Sequence, residues 1–93
     1  MHIGTETLNF LIGEKKYIQF QIISKKNEIV VITDATYMIT QGDRMIDTGQ
    51  CEIVDGSVLQ ILVDMTEYGM YDVEITYRIA PEVRKIRCKI NVN

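Results

Sequence analysis

GMYDVEITYRI, residues 69–79, places Tyr71, Val73, Ile75, Tyr77 and Ile79 on one parity and Met70, Asp72, Glu74, Thr76 and Arg78 on the other. A helix repeats its apolar face every three to four residues. Strict alternation describes a strand with one dry and one wet face. Burying Tyr71, Val73, Ile75 and Ile79 contributes on the order of 6–10 kcal/mol before chain entropy is subtracted. This run, the longest and cleanest in its alternation, is expected at the centre of a sheet.

The same period recurs on both sides. ETLNFLI (6–12) alternates Leu8, Phe10 and Ile12 and reads as a first strand ending at Gly13. KYIQFQIIS (16–24) alternates Ile18, Phe20 and Ile22, and a polar turn follows at 24–28. IVVI (29–32) is a short apolar run, a strand or an extended connector. ATYMIT (35–40) turns Ala35, Tyr37 and Ile39 one way, and QGDR (41–44) is a turn in which Gly42 can take positive φ. MIDTGQCEIV (45–54) is expected to bend at Gly49 before Cys51 and Ile53 resume the alternation. Asp55-Gly56 is a tight-hairpin signal. SVLQILVD (57–64) follows with Leu59, Ile61 and Val63, MTEYG (65–69) forms a corner, and APEV (80–83) a turn. RKIRCKINV (84–92) closes the chain with Ile86, Cys88, Ile90 and Val92 on one side.

No stretch has a helical period, and no repeat or linker interrupts the pattern. So many short strands in 93 residues cannot share one flat sheet with a dry face. The expectation is a single all-β domain over residues 1–93, an immunoglobulin-like antiparallel β-sandwich of seven or eight strands. A chain this short buries roughly 60–65% of its unfolded surface, enough for one core. Its 46% apolar and 25% charged residues suit that class.

Composition also narrows the function. The net charge is −3, and Lys and Arg are scattered rather than gathered in a stripe, which argues against nucleic acid as a partner. Arg84, Lys85, Arg87 and Lys89 interleave with Ile86, Cys88 and Ile90, and read as the wet face of a charge-protected edge strand. No segment approaches the about 18 apolar residues of a membrane span. The N-terminus lacks the basic and apolar regions of a signal peptide, so synthesis and retention in the cytosol are expected. Cys51 and Cys88 share parity with apolar neighbours and read as two buried thiols rather than a disulfide. With His2 the one histidine and no Cys/His cluster, neither a structural zinc nor another cofactor is expected.

Candidate catalytic groups are sparse. His2 lies at a terminus. Asp34, Asp43 and Asp55 fall in turns, and Asp72 and Glu74 on wet parities. TQGDRMIDTG lacks the acidic spacing of a calcium loop, and IGEKK lacks the spacing and helix of a phosphate loop. Surface contact remains. Tyr17 and Leu62 sit opposite the core parity, and Met38, Met65 and Met70 are expected outward or on corners. These five are the candidate interface for protein subunits, including further copies of the chain.

Two resemblances add to this reading. VDMTEYGMYDVEI (63–75) resembles the segment entering the sixth strand of immunoglobulin-like domains, where a tyrosine hydroxyl bonds corner backbone. Tyr71 is the better candidate and Tyr68 the alternate. IGEKKYIQFQI, KKNEIVVITDATYMI, MIDTGQCEIVDGSVLQILV, EYGMYDVEITY and KIRCKINV together resemble, in order, the N-terminal domain of phage baseplate upper proteins. Asp34 and Tyr68 stand where that family has Gly and Pro. The resemblance implies a non-enzymatic sandwich building part of a phage or prophage virion, in the tail, baseplate or head-tail region. The alternative function is an adhesion or carbohydrate-binding sandwich.

Overall fold

The structure, a computed structural model, describes residues 6–22 and 30–93. Eight strands follow in order: β1 (Glu6–Phe10), β2 (Lys15–Gln21), β3 (Asp34–Gln41), β4 (Arg44–Gln50), β5 (Glu52–Val54), β6 (Val58–Asp64), β7 (Gly69–Ile79) and β8 (Glu82–Val92). They form a five-stranded sheet ordered β1-β8-β7-β3-β4 and a three-stranded sheet ordered β2-β6-β5. Placing the second, fifth and sixth strands on one layer and the third, seventh and eighth on the other is the immunoglobulin-like arrangement.

The alternation at 69–79 is the reason for the layering. β7 lies in the middle of its sheet, between β8 and β3, and turns Tyr71, Val73, Ile75 and Tyr77 into the interior. The opposite layer answers with Ile18 from β2 and Leu59, Ile61 and Val63 from β6, all buried. Phe10, Ile39, Cys88, Ile90 and Val92 complete one contiguous core. β7 and β8 form a hairpin from Gly69↔Val92 to Ile79↔Glu82, closed by Ala80 and a cis Pro81.

The Asp55-Gly56 signal is realised as a turn in which both residues take positive φ (52° and 78°) and Ser57 N–H donates to Val54 O at 3.3 Å. Two left-handed residues in succession match the twist of the flanking strands.

Four expectations are corrected. β1 ends at Phe10 instead of running to Gly13: past Val92 only Asn93 pairs with it, bonding Phe10 O and Ile12 N–H at 2.9 Å each, before the chain turns at Gly13 toward β2. β1 also runs parallel to β8, from Glu6↔Cys88 to Phe10↔Val92, so the sandwich is antiparallel except along this pair. In consequence the second half of β8 is an interior strand, not an edge. The chain between β4 and β5 changes direction at Cys51 rather than Gly49: Gln50 still pairs Thr36 in the large sheet, and Glu52 pairs Gln60 in the small one. Cys51 N–H donates to Ala35 O at 2.9 Å and is the last tie to the large sheet. Of the apolar run at 29–32, residues 30–32 form a connector without strand pairing, and Ile32 is buried. Position 29, the polar turn at 24–28 and His2 lie outside the described residues.

Among the described residues no helix is long and apolar enough to cross a membrane.

Candidate interaction surface

The two outer faces differ in chemistry. On the large sheet, Glu74 of β7 accepts hydrogen bonds from Arg87 Nε at 2.9 Å and Lys85 Nζ at 3.2 Å, and Lys89 Nζ meets Asp72 Oδ1 at 2.8 Å. The Arg87 and Lys85 hydrogen bonds hold the Glu74 carboxyl below its ordinary pKa. These charges satisfy one another across strands, which leaves little reason for a partner to displace them.

The small sheet is different. Its outward residues are Lys15, Tyr17, Gln19 and Gln21 from β2, Val58, Gln60, Leu62 and Asp64 from β6, and Glu52 and Val54 from β5. Tyr17 lies directly opposite Leu62, and Gln19 opposite Gln60. Gln19 Nε2 donates to Gln60 Oε1 at 2.6 Å, and Gln60 Nε2 passes a bond on to Glu52 Oε2 at 3.2 Å. The charged residues stand at the margin, and the middle is an aromatic–aliphatic pair beside an amide ladder. Tyr17 is 60% exposed and Leu62 40%. A flat, uncharged centre with a tyrosine and a polar rim is the usual anatomy of a protein-contact patch.

The five candidate interface residues therefore separate. Tyr17 and Leu62 come together on the small sheet. Met38 and Met70 lie on the outer face of the large sheet, where Met38 is half-buried between Glu74 and Thr48 and Met70 is exposed opposite Asn91. Met65 is not at the surface, being 2% exposed. Its N–H donates to Glu14 O at 3.1 Å and its carbonyl accepts from Gly13 N–H at 2.8 Å. These bonds carry the β2–β6 ladder one step past the strand end. Met65 thus keeps the inward parity of Leu59, Ile61 and Val63 although the segment looks like a corner.

The two tyrosines also separate. Tyr71 is buried and its hydroxyl donates to Glu67 O at 2.9 Å, bridging back over the corner between β6 and β7. Tyr68 is 65% exposed.

One surface feature had no direct sequence signal. β6 pairs β2 along its whole length, from Val58 to Asp64, but pairs β5 only from Val58 to Gln60. Beside the second half of β6 an open cleft of about 190 Å³ runs between the sheets, lined by Met45, Ile46, Asp64, Met65, Glu67 and Tyr71. Arg44 and Glu67 pair loosely across its rim at 3.5 Å. The clue is relative length: three residues separate Cys51 from Asp55, against the eight-residue run that follows Gly56.

Both cysteines are free and buried. Burial first, then Asp34 beside Cys51 and Glu6 beside Cys88, pushes each thiol up to about 11. Among the described residues no three His, Cys, Asp or Glu side chains gather as metal ligands.

No protein-family model and no curated protein matches the chain. Two solved structures resemble it in fold. An engineered protein superposes with a TM-score of 0.73 at 13% identity, covering 96% of this chain and 18% of its own. A "putative glycoside hydrolase" from Bacteroides vulgatus superposes with a TM-score of 0.53 at 12% identity, covering 96% of this chain and 17% of its own. The chain thus spans less than a fifth of either. At such identities the likeness is one of fold alone.

Proposed function

We propose that this chain is a non-enzymatic protein-contact module that joins subunits of a larger assembly through the outer face of its three-stranded sheet. The observation that carries the reading is the exposed Tyr17–Leu62 pair beside the Gln19–Gln60 amides on one layer, while on the other layer Lys85, Arg87 and Lys89 are held in cross-strand ion pairs. The order of strand motifs resembling phage baseplate upper proteins supports a phage or prophage virion as the setting. Both fold neighbours carry the sandwich as a small part of a larger chain.

The test is migration of the protein expressed in its own host on a density gradient. Wild type is expected in high-mass fractions, and Tyr17→Glu, which leaves the core untouched, at the position of the 10.7 kDa chain. Identical migration of both at low mass would overturn the reading.

A second reading is a carbohydrate-binding module. Tyr17 beside the Gln19–Gln60 amides offers a ring for stacking and groups for sugar hydroxyls. Binding on a glycan array that Tyr17→Ala abolishes would favour it.

A further inference from the structure

The outer face of three short strands measures roughly 300 Å², from a strand spacing of about 4.8 Å and a rise of about 3.4 Å per residue. A stable complex buries about 800 Å² per partner. A contact centred on Tyr17 and Leu62 must therefore continue beyond the sheet, and the backbone shows in which direction.

Ser57 accepts from Ile22 N–H, and Met65 bonds Gly13 and Glu14, all on the β2 side. In an antiparallel ladder successive residues turn their N–H and C=O to opposite neighbours. Leu59, Ile61 and Val63 therefore bond β2, and Val58, Gln60, Leu62 and Asp64 turn to the other side. Val58 and Gln60 meet β5 there. Leu62 and Asp64 do not, because the chain crosses to the large sheet at Cys51. Two N–H and two C=O groups at alternate residues thus stand on the open edge of β6, Asp64 at the cleft and Leu62 beside it, with no strand opposite them among the described residues. An edge of this kind is a template for one more strand.

We infer that an extended segment of a partner protein adds to β6 at Leu62–Asp64, continuing the line of β5, with a basic–apolar–apolar sequence. The inference rests on the reading of the chain as a protein-contact module and specifies its partner. Antiparallel addition puts the first residue opposite Asp64, whose carboxylate has no ion-pair partner among the described residues. Lys15 lies across from it on the β2 side, outside bonding range. The second residue, opposite Val63, points inward to the cleft, where Met45 and Ile46 stand on one side and the polar Arg44, Asp64, Thr66 and Glu67 form the rest of the exposed wall over Met65 and Tyr71. At about 190 Å³, roughly six water volumes, the cleft has room for one side chain of medium size, with Met45 and Ile46 as its apolar contacts. The third residue, opposite Leu62, extends the Tyr17–Leu62 patch sideways.

The experiment is an amide NMR titration of the full chain with the blocked peptide acetyl-Thr-Lys-Val-Leu-Thr-amide at millimolar concentration. Saturable shifts and slowed exchange are expected at the Leu62 and Asp64 amides. Asp64→Lys is expected to weaken binding about fivefold and to prefer the same peptide with Glu for Lys. Leu62→Pro removes a donor that points away from β2, so the variant is expected to fold and to lose binding. Absence of saturable shifts, shifts centred elsewhere, or undiminished binding to Leu62→Pro would overturn the inference. Unfolding of Leu62→Pro would contradict the assignment of that N–H to the open edge of β6. Protection of the same amides by self-association without peptide would replace the partner with a second copy. Tyr17 lies across β6 from the cleft, so a peptide failure alongside gradient loss in Tyr17→Glu removes the added strand and leaves the contact module standing.

Discussion

Tyr71→Phe isolates one hydrogen bond of the fold. The ring is buried beneath the corner between β6 and β7 and stays in place, and only the hydroxyl that donates to Glu67 O at 2.9 Å is removed. A neutral hydrogen bond of this kind contributes about 1 kcal/mol net. The bond is only partly buried, so water can reach the abandoned carbonyl and the full penalty of an unsatisfied buried group does not apply. About 1 kcal/mol is a factor of about five in the folding equilibrium and lowers the Tm by roughly 4–8 °C in a domain of this size. The assay is urea unfolding followed by far-UV circular dichroism, since the chain has no Trp. Tyr68→Phe, at an exposed ring in the same corner, is the control and is expected to change stability by less than about 0.5 kcal/mol. Equal effects of the two substitutions, or a larger one at Tyr68, would refute the assignment of Tyr71 as the corner tie.

Gly49→Ala should destabilise by about 1–3 kcal/mol, because a Cβ there would stand 3.1–3.3 Å from the Tyr37 ring, which Asp47 holds through a 2.9 Å bond to its hydroxyl. In a Tyr37→Ala background the same change should become stabilising by about 0.5–1 kcal/mol, the ordinary preference of a strand for Ala over Gly, and urea unfolding of the four proteins reads the reversal. Both cysteines should resist alkylation at pH 8 in the native protein and react at once in denaturant. Because the folded thiols titrate near 11 and the ordinary value is 9.0, the unfolded chain loses protons first, and stability should fall as pH rises through the interval between them. A protein with both Cys51→Ala and Cys88→Ala should show a flatter alkaline slope. Glu74→Gln should cost less than about 1 kcal/mol. The loss should be seen at neutral pH, shrink with salt, and vanish as acid protonates the wild-type carboxylate, whose depressed pKa supplies its full stability above the ordinary carboxyl range and loses it as pH falls below that range.

What could be read from the residues alone follows physical lines. Period-two alternation is a property of each strand by itself, so 69–79, 84–92, 16–22 and 57–64 carried their own faces and pointed to two layers. Asp55-Gly56 marked its turn because few residues accept two positive φ values in succession. Tyr71 stood out from Tyr68 because it shares parity with Val73 and Ile75. Pairing partners are not local, and there the reading ran out. Nothing in ETLNF says that it will lie parallel to β8. Gly49 looked like the bend because glycine permits one, whereas the switch occurs at Cys51, where the register to β3 ends. Met65 looked like a corner residue because the backbone bonds that hold it inward come from Gly13 and Glu14, distant in sequence. Of the five interface candidates, parity alone picked Tyr17 and Leu62 as outward but could not say that they are neighbours. The open half of β6 arises from a mismatch between two strand lengths in one sheet, visible only once β5 is placed beside it.

The layer that meets a partner distinguishes a contact through Tyr17 and Leu62 from one through the charged sheet. A photo-reactive amino acid placed singly at Tyr17, Leu62, Lys85 and Arg87, irradiated in the native host and resolved by mass spectrometry, asks this directly. Discrete crosslinks to a protein subunit from positions 17 and 62, with none from 85 and 87, are the expected result. Crosslinks from 85 and 87 alone would place the contact on the charged layer and contradict the account.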